Sequence, residues 1–482
     1  MSCHNPFCEY STVLPSKHLY PLERLPLVLV FAFLVVFVRG VVLFLVPGSL
    51  EEDTDLYRQL AENLVREGRF ALGGNPTAFR PPVYPILLVP CVAAGPYTWW
   101  AIAALHVVLG AGTVLLTGLL AKRIGGLQAG LIAGLLVAAD PLLVWQSTQI
   151  MSETAAVLFV VVTLFCGFQA SKSKNLAWTF LTGTAAGITA LTRANLLPWS
   201  LLVPGLLGFV RQLGETGPFT RDKKREQTTH HSEQTKGSFQ SLPRLSGSKV
   251  RFREVIKTSL IGYVGLGSVL FPWVLRNRLV LGYWIFGTTH GGITFYLANN
   301  DYFYDHLREH KPLRAWKSEA FITAWQQAVE QHPGLDEAQQ DRLAYRLAGE
   351  TIARRPKEFW ESCLWRVLWL WTPFPPAELS EALTGGVLAV WAVGGFYILQ
   401  YGCAIWGIGI ALRKRINSGE APQILWFLLS GAALALVLTA VHAFYWSNMR
   451  MRAPAVPVFA CFAALPLTQL RLWSSPKANG RP

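Results

Sequence analysis

Charge is what this sequence has least of. Of its 482 residues only 15% are Asp, Glu, Lys or Arg, against 52% hydrophobic ones, and the mean hydropathy is positive. That balance excludes a soluble protein of this size, which needs more polar side chains to cover its surface. CxxC pairs are absent too: the seven cysteines, at 3, 8, 91, 166, 363, 403 and 461, are scattered and mostly lie in apolar runs, which argues against a disulfide framework. Cys3, His4 and Cys8 are three potential metal ligands on a terminal tail, a weak signal for a metal site. There is no glycine-rich phosphate loop and no internal repeat.

What the chain does have is long apolar runs. Windows long enough to cross a hydrocarbon core of roughly 30 Å as a helix recur along it. Spans are expected near 26–46, 97–120, 126–146, 152–170, 176–192, 194–210, 257–275, 383–411, 422–445 and 453–470. The first carries Arg39 and lacks a small-x-small cleavage site, so it is expected to stay as an anchor. The fold class is an all-α polytopic membrane protein of about 10–13 transmembrane helices. A juxtamembrane helix is expected in its first outer loop, and a small, mainly helical outer loop domain further on.

The formal charge of +14 raises nucleic acid as a partner, but its placement argues for lipid. Lys122, Arg123, Lys172, Lys174 and Arg413 to Arg415 sit in short loops, and 211–257 holds eleven basic against five acidic residues. All these loops fall on one side if the spans alternate, which is the positive-inside pattern and puts both termini in the cytoplasm of a cell (inner) membrane protein. The basic excess is read as orientation and contact with anionic membrane lipids, with no nucleic acid bound. The organisation expected is a cytoplasmic tail over 1–25, a membrane half over 26–210 with its first outer loop at 47–96, and a flexible basic cytoplasmic insertion over 211–256. A second membrane half over 257–470 includes an outer loop domain at 276–382, and 471–482 is a cytoplasmic tail. Helical patterning at 315–330 and 336–354 stops at Arg355-Pro356, and Trp360, Trp365, Trp369 and Trp371 suit an interfacial helix.

The first outer loop opens with four carboxylates, Glu51, Glu52, Asp53 and Asp55. From Leu56 the apolar residues recur at helical spacing through Val65, so Asp53 and Asp55 stand at a helix N-terminus. There a carboxylate caps backbone N–H groups and meets the positive end of the helix dipole, which accounts for Asp55 more readily than for Asp53. Glu153 follows Ser152 at the outer start of the fourth span, where Ser152 is the expected N-cap; a carboxylate at an apolar rim otherwise marks a cavity with a task. Arg80, Arg193, Arg450 and Arg452 lie in short outer segments where the positive-inside bias should have removed them. Either the acids pair with them or an anionic ligand does. In FRPPVYP the two prolines fix the backbone that presents Arg80.

These features resemble the GT-C class membrane glycosyltransferases, in particular the protein mannosyltransferases of glycosyltransferase family 39 and the aminoarabinose transferases. The matching pieces are the acid-x-x-x-Tyr pattern from Asp53 to Tyr57 with LAENL after it, the basic-Pro-Pro stretch Arg80 to Tyr84, Ser152-Glu153, LTR ending at Arg193, FPWVLRN at 271–277, THGGITFYLANN at 289–300 and RMRAPAVPVF at 450–459. The resemblance spans about 50–460 without the insertion. It implies transfer of a sugar from a polyprenyl-phosphate donor to a glycan, lipid or protein acceptor at the extracytoplasmic face, with inversion. On that analogy Asp53 is the base, with Asp55 as the alternative. Glu153 shares the proton or orients the acceptor, and Arg80, Arg193, Arg450 and Arg452 form the phosphate site. Tyr57, Tyr84, Arg276, Asn277, His290 and Asn299 line the substrate pocket. No cofactor is predicted, although Asp53, Asp55 and Glu153 would suit a divalent metal if they converged. A transporter or flippase for an anionic solute or lipid is the alternative, and its charges should lie near the bilayer midplane.

Overall fold

A computed structural model describes residues 37–42, 50–173, 175–215, 246–310, 316–375, 386–417 and 421–469. Most of the expected first span lies outside them, and what is described of it, 37–42, is helical. The first loop carries helix α1 (Tyr57–Glu67), closed by Gly68 in the left-handed region, and a two-residue antiparallel hairpin, β1 (Ala71–Leu72) and β2 (Asn75–Pro76), turned by Gly73 and Gly74 at positive φ. Next come α2 (Val83–Ala93), α3 (Thr98–Gly125), α4 (Leu127–Ala138), the short α5 (Pro141–Gln146), α6 (Glu153–Lys172), α7 (Leu176–Thr192), α8 (Leu197–Glu215) and α9 (Ser246–Leu281). The segment after α9 is built of α10 (Gly291–Ala298), α11 (Asp301–His310), α12 (Glu319–Glu330), α13 (Glu337–Arg354) and α14 (Pro356–Trp371). Helices α15 (Gly386–Asn417), α16 (Ala421–Phe444) and α17 (Val456–Leu467) complete the chain.

Among the described residues, six helical stretches are long and apolar enough to cross a membrane, at 95–125, 153–172, 194–213, 252–281, 386–414 and 422–444, and α2, α4 and α7 are shorter apolar helices. This is a multi-pass, all-α membrane protein. Two expected spans differ in detail. The 126–146 run breaks at Asp140, whose carboxylate accepts a hydrogen bond from Leu143 N at 3.0 Å and starts α5 ahead of Pro141. The 453–470 run is helical only from Val456, because 449–455 forms a tight 3₁₀ segment. Helix α8 runs to Glu215 and α9 begins at Ser246, so both edges of the basic insertion are helical, and 216–245, where the rest of the expected flexible segment falls, lies outside the described residues.

Burial of small residues holds the membrane half together. Where α7 crosses α9, a Cβ on Gly183 would overlap the Gly262 carbonyl oxygen, and one on Gly265 would overlap that of Phe180. Only glycine permits the backbones to come so close, which compensates for the absence of a hydrophobic drive between helices in lipid. Indole nitrogens add fixed points: Trp426 donates to Leu164 O and Trp199 to Ser430 O, each at 3.0 Å, tying α16 to α6 and α8. The Trp426 ring lies against Gly167, where a Cβ would collide with it.

In the segment after α9, α13 starts with a reciprocal cap between Asp336 and Gln339. The Arg355-Pro356 joint is pinned by ion pairs from Arg355 to Asp301, Asp305 and Glu358. Trp360, Leu364 and Leu368 form an exposed stripe on α14, while buried Arg366 donates from the same helix to Ala443 O at 2.8 Å and to Ala298 O. Substituting Gly265→Ala is expected to lower the thermal midpoint of the detergent-solubilised protein, because overpacking costs about 1–3 kcal/mol. Gly267→Ala, where a Cβ has open space, should leave it unchanged.

Candidate active site

The ends of several elements meet around a cavity of about 540 Å³. Asp55 and Tyr57 reach it from the start of α1, Phe79 and Arg80 from just before α2, and Ser152 from the start of α6. Arg193 and Asn195 come from between α7 and α8, His290 from the start of α10, His442 and Tyr445 from the end of α16, and Arg450 from the 3₁₀ segment.

Glu153 lies behind this wall, with 1% of its side chain exposed. Its carboxylate is 2.7 Å from Arg193 Nη1 and 3.2 Å from Arg450 Nε. One buried acid thus holds two guanidinium groups, and both arginines line the cavity. Arg193 also donates to Ser152 Oγ at 3.3 Å, and that hydroxyl lies 3.1 Å from Tyr57 Oη. Ser152 makes no side-chain cap on α6, contrary to its expected role, because its hydroxyl belongs to this network. Burial raises the Tyr57 pKa, so its phenol stays protonated.

The two loop aspartates are placed differently. Asp53 Oδ2 accepts a hydrogen bond from Gln59 N at 2.9 Å and caps α1, and Asp53 does not line the cavity. Asp55 does line it, and its Oδ1 pairs with Arg80 Nη2 at 2.8 Å while its backbone oxygen accepts from Arg80 Nε at 3.0 Å. The reason is local. Leu56 adopts a left-handed conformation, φ 61°, which a leucine takes only at a cost. This turn directs Asp55 toward Arg80 and leaves Asp53 over the first turn of α1.

The segment leading into Arg80 is held by a second set of contacts. Glu337, the first residue of α13, accepts from Thr77 Oγ1 at 2.5 Å, from Ala78 N at 2.9 Å, and from Thr289 Oγ1. Arg276 donates to Thr77 O at 2.6 Å and Phe70 O at 2.8 Å from the last turns of α9, which runs beyond the expected end of its span. The Phe79 ring meets His290 edge-on at 4.4 Å. Burial, and then the Arg80 charge, push the His290 pKa well below its usual value, so the ring is neutral at physiological pH.

The remaining expected pocket residues lie elsewhere. Arg452 is buried against Tyr397 and Tyr401 and donates to Leu370 O at 3.1 Å and to Thr372 O. Two residues along a 3₁₀ segment, at three residues per turn, face well apart, so Arg450 meets Glu153 and Arg452 does not. Tyr84 is buried against His106, with its Oη 2.7 Å from Nε2. Asn277 donates to Ile285 O at 3.1 Å and Asn299 to Phe444 O at 3.0 Å, both as struts. Arg276 supports the loop without lining the cavity. The acids do not converge: among the described residues no group of three His, Cys, Asp or Glu side chains gathers to hold a metal. Asn195, His442, Tyr345, Tyr445 and Glu337 escaped the sequence reading. A lone histidine within an apolar span such as His442 was the available signal.

Residues 92–211 match the dolichyl-phosphate-mannose-protein mannosyltransferase family, a GT-C family, so the likeness read from the motifs is found in this segment. No curated protein matches by sequence. Among solved structures, the archaeal oligosaccharyltransferase AglB from Archaeoglobus fulgidus in complex with an inhibitory peptide and a dolichol-phosphate is 13% identical with a TM-score of 0.49, over 93% of this chain and 50% of that one. ArnT from Cupriavidus metallidurans bound to undecaprenyl phosphate is 12% identical with a TM-score of 0.32, over 90% of this chain and 77% of that one. The chain therefore spans about half the length of the archaeal structure.

Removing the shared acid should be costly. Glu153→Ala leaves two guanidinium groups without their counter-charge, and the expected loss is about 3–5 kcal/mol, seen as a lower thermal midpoint. Arg452→Lys, away from the cavity, should leave anion binding unchanged in the same preparation.

Proposed function

We propose that this chain is an integral-membrane glycosyltransferase that moves a sugar from a polyprenyl-phosphate donor to an acceptor hydroxyl. The observation that carries the reading is the meeting of one carboxylate, Asp55, with three arginines, Arg80, Arg193 and Arg450, in a single cavity at helix ends. The family match over 92–211 supports it. A transporter is disfavoured because these charges stand at the ends of helices and not midway along them.

The chemistry asks for two things. An acceptor hydroxyl is a poor nucleophile, and Asp55 is placed to take its proton as the bond to the anomeric carbon forms. The bond from that carbon to the phosphate oxygen breaks, and the leaving phosphate gathers charge that fixed arginine donors stabilise. Arg193 and Arg450 are already oriented by Glu153, so little ordering is left to do when the phosphate arrives. Arg80 has a choice of anions. When a phosphate enters, Arg80 turns toward it and releases Asp55, so the base becomes free only with a donor in place. Attack opposite the leaving phosphate inverts the anomeric centre. The positive-inside pattern supports an extracytoplasmic position for the cavity in a cell membrane, with a glycan, a lipid or a protein as acceptor.

In membranes supplied with radiolabelled polyprenyl-phosphate sugars, Asp55→Asn is expected to reduce transfer by roughly 10²–10⁴-fold while donor binding stays within a few-fold. Asp53→Asn keeps a side-chain oxygen that can accept the Gln59 N–H and cap α1, and it should keep most of the transfer rate. Loss of transfer in Asp53→Asn with a folded protein, and retention in Asp55→Asn, would reverse the assignment.

A further inference from the structure

Besides Arg450 Nε, which faces Glu153 at 3.2 Å, two atoms in the cavity wall are buried without a hydrogen-bond partner: Asn195 Oδ1 and His290 Nδ1. The first has a specific origin. His442 Nδ1 lies 2.8 Å from Trp446 O, which can only accept, so the ring proton sits on Nδ1. His442 Nε2 is then an acceptor, and it takes the Asn195 amide N–H at 3.0 Å. That bond fixes which way the amide points and leaves its oxygen without a donor. A buried carbonyl oxygen with no partner is costly, and a ligand that supplies the missing donor is favoured over one that does not.

Charge narrows the ligand further. The acids at the cavity and just behind its wall are committed: Asp55 to Arg80, Glu153 to Arg193 and Arg450, Glu337 to Thr77, Ala78 and Thr289, and Asp341 to Gly292 N at 2.6 Å, while Asp53 caps α1 and does not line the cavity. If Arg80 releases Asp55, that carboxylate is needed for the acceptor proton. An ammonium group buried here would meet three guanidinium groups, and the one anion the donor brings, its phosphate, is already taken up by them. A hydroxyl both donates and accepts, so it can serve Asn195 Oδ1 and, in either tautomer of the neutral ring, His290 Nδ1. Asn195 is two residues from Arg193, which sets it beside the phosphate site, where the glycosyl group must lie.

We propose that the transferred glycosyl group is uncharged and that Asn195, oriented by His442, selects it by accepting a hydrogen bond from one of its hydroxyls. This rests on the transferase reading above and specifies its substrate class. The test uses the full chain in lipid nanodiscs at pH 7.5, with bare undecaprenyl phosphate and two matched donor pairs on that lipid: arabinose against 4-amino-4-deoxyarabinose, and glucose against glucosamine. Binding is measured by competition. The amino member of each pair is expected to bind about tenfold or more weakly than the hydroxyl member. Asn195→Ala should weaken the neutral donors about tenfold and leave bare undecaprenyl phosphate unchanged. Asn195→Asp preserves the shape and adds a carboxylate, and it should reverse the preference toward the amino donors, which keeps the inference testable if the alanine variant fails to fold. Equal or tighter binding of the amino donors by the native protein would overturn it, as would an Asn195→Asp variant that still prefers the neutral ones. If bare undecaprenyl phosphate itself fails to bind, the transferase reading falls first; if it binds and the paired donors do not differ, only this inference falls.

Discussion

The site depends on one buried carboxylate. Glu153, at the start of α6, sits between Arg193 at the end of α7 and Arg450 beyond the end of α16. Three helix ends are thereby tied through a single side chain. Taking these charges out of water is expensive, and the cost is offset only because the acid meets two cations at once. The arrangement leaves a local positive surplus with fixed direction. Surplus positive charge at a membrane rim, oriented in advance, suits a phosphate anchored in the lipid.

A second constraint sets the opposite wall. The first loop would be free to move were it not held from two sides, by Arg276 on the last turns of α9 and by Glu337 at the start of α13. These contacts hold the segment that ends at Arg80, which pairs with Asp55 beside the left-handed Leu56. The two walls differ in kind. Around Glu153 the charges are locked beneath the surface, whereas the Arg80–Asp55 pair stands at the surface of the cavity and can be exchanged. Packing at Gly291 and Gly292 keeps α10 and α13 in register with this wall, since a Cβ at Gly292 would overlap the Asp341 carbonyl oxygen.

Much of the fold was legible because hydropathy and length suffice to mark apolar helices, and capping residues such as Asp336 mark where others begin. The arginines were legible because they violate the charge bias of their loops, and Arg80, Arg193 and Arg450 do meet in one cavity. Backbone geometry hid the rest. Nothing in the sequence announces that Leu56 turns left-handed, and that single φ angle decides which of Asp53 and Asp55 caps α1 and which faces the cavity. Likewise, Arg450 and Arg452 look equivalent until the 3₁₀ segment turns them apart. Glu337 is one charge among many on an amphipathic helix, and its contact with Thr77 and Ala78 spans about 260 residues of sequence. Long-range pairs of this kind leave no local pattern.

In the proposed reaction, Arg80 guards Asp55 until a lipid phosphate arrives. The most direct measurement is an experimental structure of the chain with undecaprenyl phosphate bound. The account predicts a phosphate contacted by Arg193 and Arg450, with Arg80 turned onto it and the 2.8 Å contact between Arg80 and Asp55 broken. A phosphate bound elsewhere, or one bound in this cavity with the Arg80–Asp55 pair intact, would contradict it.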